Sequence, residues 1–162
     1  MTTPRWLNDD EQKLWRLILA ATRKMDRTLD ETLQADHELT SSEYSVLVSL
    51  SEAGDREMRL RDLCIALEWD RSRTSHQITR MDKKGLVAKV KCEGDARGVI
   101  VELTPEGERR LKQAVPAHVE TVRRLVFDPM EPGQADVLRA YLTAALNSGA
   151  CDATDKVDAL DS

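Results

Sequence analysis

The stretch Asp70-Arg71-Ser72-Arg73-Thr74-Ser75-His76-Gln77-Ile78-Thr79-Arg80-Met81-Asp82-Lys83-Lys84 meets no helix breaker before Gly85. It continues through Leu86–Cys92, a charged tip Glu93-Gly94-Asp95-Ala96-Arg97-Gly98, the run Val99–Leu103, and Thr104-Pro105-Glu106-Gly107. Asp70 is a helix N-cap and Gly85 a C′ residue that stops the helix. The two apolar runs read as a β-hairpin, and Thr-Pro opens another helix with Thr as cap and Pro at the first helical position. From Arg71 to Lys91 seven cations face one anion, Asp82, in a chain whose net charge is −5. A helix and hairpin that invert the charge of an acidic chain imply a polyanionic partner, and double-stranded DNA is the first candidate.

Working outward, apolar residues at Leu14, Ile18, Ala21, Met25, Leu29 and Leu33 predict a long helix from Asp9 to about Gln34. Thr40 and Glu43 have capping-box spacing and open a second helix with Tyr44, Val46, Leu47, Val48 and Leu50 inward. A short strand is expected over Met58–Leu60, and Leu60, Leu63, Cys64 and Leu67 form the stripe of a short third helix. A fifth helix, which Pro116 should bend or deprive of one backbone hydrogen bond, is expected to run to about Phe127, and a last helix carries Val137, Leu138, Tyr141, Leu142, Ala145 and Leu146. The fold class is mainly α with a small β-hairpin wing (α+β), in one domain with appended helices.

On the basic helix, Thr74, Ile78 and Met81 fall on one side and Ser72, Arg73, His76, Arg80 and Lys83 on the other. The outward set suits major-groove reading: Arg73 and Arg80 can pair with guanine, and Ser72 or Gln77 can reach base edges or phosphates. Arg97, on a glycine-bounded tip, suits a minor groove, with Asp95 placed to hold the guanidinium. Lys83, Lys84, Lys89 and Lys91 are candidate phosphate contacts. The plainer alternatives are a solvated charged face and an ordinary solubilising turn. The short third helix and tight Trp69-Asp70 turn fit helix-turn-helix geometry.

With Leu60-Arg61-Asp62-Leu63, Arg71–Arg80, Gly85-Leu86-Val87, Asp95-Ala96-Arg97-Gly98 and Leu103-Thr104-Pro105-Glu106-Gly107 in place, the chain resembles the MarR family of winged helix-turn-helix regulators over roughly Asp9–Asn147. The resemblance implies a homodimer that represses from palindromic operators and is released by a small phenolic or other aromatic ligand, while the odd, scattered cysteines suit a reducing cytoplasm. The chain then divides into an N-terminal dimerisation helix over 1–37, a winged DNA-binding module over 38–103 and C-terminal dimerisation helices over 104–147, and the polar, acidic residues 148–162 are expected to be a disordered tail. Arg71, Ser72, Arg73, Thr74, Ser75, His76, Gln77 and Arg80 match the recognition helix, and Asp95 and Arg97 the wing pair. In the family a ligand cleft lies between the dimer helices and the DNA module. By position Trp15, Tyr44 and His118 are its lining candidates here, with core or interface packing as the plainer role. Independently, the first helix and the last two carry more apolar stripe than a small winged helix covers, which implies a shared interface built from Leu14, Ile18, Leu138, Tyr141 and Leu142 among others, with packing inside one chain as the plainer alternative.

Other functions find little footing. No phosphate loop, nucleophile elbow or metal motif is present, so an enzyme, a cofactor and a metal site are not expected. His37, His76 and His118 are isolated. Cys64, Cys92 and Cys151 have no framework spacing, and the first helix lacks the cysteine that some family members use to sense peroxide. Cys64 falls on a core stripe and is expected to be inert, whereas Cys92 lies near the wing, where oxidation would disturb docking. No signal peptide or membrane span is expected. The competing functional reading is a winged protein-interaction module that does not read DNA.

Overall fold

A computed structural model describes residues 4–91 and 98–148. The hairpin tip 92–97, with Cys92, Asp95 and Arg97, and the tail 149–162, with Cys151, lie outside the described residues. The chain divides into two compact units, Met1–Val122 and Arg123–Ser162.

In the first unit, α1 spans Asp9–His37 and α2 spans Ser41–Glu52. Both open with a capping box. Thr40 and Glu43 form the expected one, and Asn8 with Glu11 forms one that the acids of the first turn had obscured. The strand β1 (Glu57–Arg59) leads into α3 (Leu60–Leu67) and α4 (Arg71–Lys83), and β2 (Val87–Lys91) and β3 (Val99–Leu103) make the hairpin before α5 (Pro105–Val122). The antiparallel sheet has β3 in the centre, with Met58 opposite Val101 on one side and Lys89 opposite Val101 on the other. Pairing of β1 to β3 joins residues some forty positions apart, which local patterning does not announce.

The core is Leu33 and Leu39 from the end of α1 and its loop, Val46, Leu47 and Leu50 of α2, Leu63 of α3, Ile78 and Met81 of α4, Leu86, Val87 and Val101 of the hairpin, and Leu111 and Ala114 of α5. Each of these larger side chains contributes roughly 1.5–3 kcal/mol by leaving water, so α4 is held chiefly by its inward stripe.

The hairpin is tied at its base. Gly85 takes φ +74°, Leu86 N–H donates to Met81 C=O at 3.0 Å, and Gly85 N–H donates to Asp82 C=O at 3.0 Å, which is a Schellman closure. The Leu86 carbonyl then accepts from Thr104 N–H at 3.3 Å and lies 2.9 Å from the Thr104 hydroxyl. That hydroxyl also caps α5 by accepting from Gly107 N–H at 3.0 Å. A Cβ on Gly107 would stand 2.1 Å from the Leu86 oxygen, so the fourth residue of Thr-x-x-Gly must be glycine for the helix to approach the strand.

The second unit holds a π-helical turn, Arg123–Phe127, and α6, Gln134–Asn147. The fifth helix therefore ends as an α-helix at Val122, short of the expected Phe127. Asp128 N–H donates to Arg123 C=O at 2.8 Å, the wider i→i−5 spacing, in the last turn before Pro129, which disfavours α geometry at Asp128. Pro116 does not end α5, which continues to Val122.

Gly107→Ala is expected to destabilise the fold by about 1–3 kcal/mol or more by forcing α5 off Leu86. Gly54→Ala, with nothing within 4 Å of the added carbon, should be close to neutral. Urea unfolding of the two variants against the parent checks both.

Candidate nucleic-acid interface and adjoining cleft

The N-terminus of α4 is fixed by Asp70, whose carboxylate accepts from Arg73 N–H at 2.8 Å. The preceding turn passes through Glu68 in the left-handed region, φ 53°, with Trp69 N–H donating to Cys64 C=O at 3.0 Å. This sets α3 and α4 as two helices joined by a tight turn. Along α4, Arg71, Ser72, Arg73, Ser75, His76 and Arg80 are exposed, while Thr74, Gln77, Ile78 and Met81 are buried.

Two of the candidate DNA-facing residues thus belong to the interior. Thr74 is fully buried and its hydroxyl donates to Asp70 C=O at 2.9 Å. Gln77 is 4% exposed because it stands between Thr74 and Met81 on the inward face, and its Oε1 accepts from the Arg80 guanidinium. Lys84 is also redirected. Its ammonium lies 2.6 Å from the buried Glu43 carboxylate, whose other oxygen accepts from Thr40 N–H at 3.0 Å. A carboxylate inside a protein needs such partners, and Lys84 is the one that carries charge. Lys83, Lys89 and Lys91 remain exposed, with Lys89 Nζ donating to the Thr79 hydroxyl at 3.2 Å.

Arg73 gains a partner the sequence did not suggest. Its guanidinium carbon lies 4.2 Å from the centre of the Trp69 ring, a cation–π stack that narrows the side chain's rotamers while leaving its edge open. The signal was available: Trp69 is four residues before Arg73, across the turn.

A separate cleft of about 420 Å³ lies between α1, α2 and α5, lined by Asp26, Leu29, Asp30, Ser41, Tyr44 and His118 among others. Tyr44 and His118 are stacked with centroids 4.3 Å apart and planes at 30°. Nδ1 of His118 and Oγ of Ser41 are buried without a hydrogen-bond partner. Burial lowers the His118 pKa below 6.5 and raises that of Tyr44 above 10.0. The sequence's third candidate, Trp15, is not in this lining and is 51% exposed on α1. Cys64, expected on the core stripe, is only partly buried. Among the described residues, no His, Cys, Asp and Glu group could hold a metal ion, and no helix is long and apolar enough to cross a membrane.

The same arrangement occurs in known regulators. The family model "Transcriptional regulator SarA/Rot" matches residues 28–115. The HTH-type transcriptional regulator PecS of Dickeya dadantii is 28% identical over 119 residues, covering 73% of this chain and 70% of its own. AbsC, a MarR family transcriptional regulator from Streptomyces coelicolor, is 38% identical and superposes with a TM-score of 0.83 over 88% of this chain and 96% of its own. A second MarR family regulator from that organism, solved in complex with DNA, is 36% identical with a TM-score of 0.84 over 88% of this chain and 90% of its own.

The lowered His118 pKa fixes the sign of a pH effect. The unfolded chain takes up a proton below about 6.5, while the folded chain does so only at lower pH. This contribution to stability is therefore complete at neutral pH and is lost as pH falls from about 6.5 through the folded value, levelling off beneath it. Thermal unfolding between pH 7.5 and 5 should show the decline, at about those pH limits, and His118→Phe should flatten it.

Proposed function

We propose that this chain, which belongs to the MarR family of winged helix-turn-helix transcriptional regulators, works as a cytoplasmic homodimeric repressor of a palindromic operator. The observation that carries the proposal is the division of α4. Thr74, Gln77, Ile78 and Met81 seat it, and Arg71, Ser72, Arg73, Ser75, His76 and Arg80 project from it into solvent beside a β-hairpin. In this reading α4 enters the major groove, Arg73 and Arg80 read base edges, and Asp95 and Arg97 work at the wing tip in the minor groove. The DNA complex of a relative 36% identical over nearly the whole fold supports the same docking here.

Pairing is supported by apolar surface that the single chain leaves in water. On α1, Leu14, Trp15 and Leu17 are exposed; on α6, Val137, Leu138, Tyr141, Leu142 and Leu146 are exposed. Two such chains about a twofold axis would set their recognition helices ~34–36 Å apart, one turn of DNA. Release by a small aromatic ligand is supported by the cleft that holds Tyr44 and His118. Its α2 wall begins at Ser41, two residues before the Glu43 that grips Lys84 at the end of α4. A ligand that moves the start of α2 therefore has a direct handle on the reading helix, within the limit set by its differential affinity for the two states.

Mobility-shift titration with the chain's own upstream intergenic DNA tests the reading; no specific, salt-sensitive shift would favour a protein-interaction module instead. Arg73→Ala and Arg97→Ala should each weaken operator binding by roughly 1–3 kcal/mol and leave the dimer intact. Trp69→Leu should weaken it less, by about 0.5–1 kcal/mol, because it frees the Arg73 guanidinium without removing it. Equal affinity of all three variants and the parent would overturn the docking.

A further inference from the structure

A second cleft, of about 330 Å³, opens at the N-terminus of α4 and is lined by Arg59, Arg61, Arg71, Ile65 and Gly98 among others. Its three arginines come from separate elements: the end of β1, the first turn of α3 and the first residue of α4. The β1–β3 pairing and the α3–α4 turn bring them together, so no local run of sequence marks the cluster. All three are exposed, and among the described residues no carboxylate lines the cleft. Among the described residues, the ion pair at these arginines is Arg61 with Asp62 at 3.4 Å. On α5, by contrast, Arg109 and Arg110 are tied to Glu106 at 2.7 and 3.1 Å. Arg59, Arg61 and Arg71 thus share the lining of one cleft, and all three are exposed to solvent.

Guanidinium groups stay charged at any pH a protein survives and bind phosphate through paired N–H donors. Ile65, exposed beside the arginines, offers an apolar surface of the kind that suits a sugar face. We infer that Arg59, Arg61 and Arg71 form a phosphate-binding cleft that clamps the operator backbone beside the recognition helix. This rests on the DNA-binding reading and adds a site outside the outward face of α4. Arg71 becomes a backbone contact rather than a base reader, and the register of the duplex is set from the β1–α3 junction as well as from the wing.

The test is fluorescence anisotropy of the full-length dimer on its operator and on a scrambled duplex across a salt series. Arg59→Gln/Arg61→Gln removes two guanidinium groups from each protomer and should lower the dimer's slope of log affinity against log salt by about two to four units, at about 0.9 for each phosphate that is no longer neutralised. Its preference for operator over scrambled duplex should stay within about threefold of the parent's, because backbone phosphates carry no sequence information. Arg73→Ala should show the reverse, a loss of preference with little change in slope. An unchanged slope in the double variant, with the parent still specific and salt-sensitive, overturns the clamp and leaves the DNA reading intact. Absence of specific binding by the parent overturns the DNA reading itself. A second arm compares melting temperatures in inorganic phosphate and in chloride at matched ionic strength. Stabilisation by phosphate that the double variant loses, with no change in DNA slope, would mean that the cleft takes a free anion and not the duplex backbone.

Discussion

Leu86, through its N–H and its carbonyl, is the constraint on which the rest of the first unit depends. Within a few atoms it ends α4, starts β2, receives the Thr104 side chain and backbone, and bounds the approach of α5 through Gly107. Four elements have their relative positions set by one carbonyl and its neighbours. The hairpin therefore leaves the body of the protein from a fixed base. Because the same closure ends α4 immediately after its last exposed lysines, the basic helix and the hairpin strands are held as one piece.

A second tie acts from the other side. Glu43 completes the cap of α2 and accepts Lys84, forty-one residues later, from within the protein interior. Removing the lysine would strand a buried carboxylate, which is costly, so the pair fixes α4 to α2 more firmly than a surface ion pair would. Asp30 on α1 accepts from Ser41 N–H at 2.8 Å, which extends the linkage to the long helix. A line of polar interactions thus runs from α1 through the start of α2 to the end of α4, along one wall of the Tyr44–His118 cleft.

Much of this was legible locally. Gly85, Leu103-Thr104-Pro105 and the inward stripe of Ile78 and Met81 are short-range signals with direct physical causes, and α4, β3 and the start of α5 fall where those signals put them. Tyr44 and His118, named together on positional grounds, share a cleft; Trp15 does not join them. What escaped depends on distant partners. Gln77 looked available because it is polar, yet it is seated inside and its oxygen is taken by Arg80. Lys84 reads as one more surface cation until Glu43 is seen beneath it. The Arg59, Arg61 and Arg71 cluster exists only after β1 has paired with β3.

The Trp69–Arg73 stack has an optical consequence. The chain has three tryptophans: Trp6 and Trp15 stand mainly in water, and the third lies partly buried under a guanidinium at the mouth of the basic helix. An indole's emission follows the charge and hydration against its ring. The protein therefore carries an intrinsic fluorophore against the Arg73 guanidinium, whose emission would change if that group left the ring.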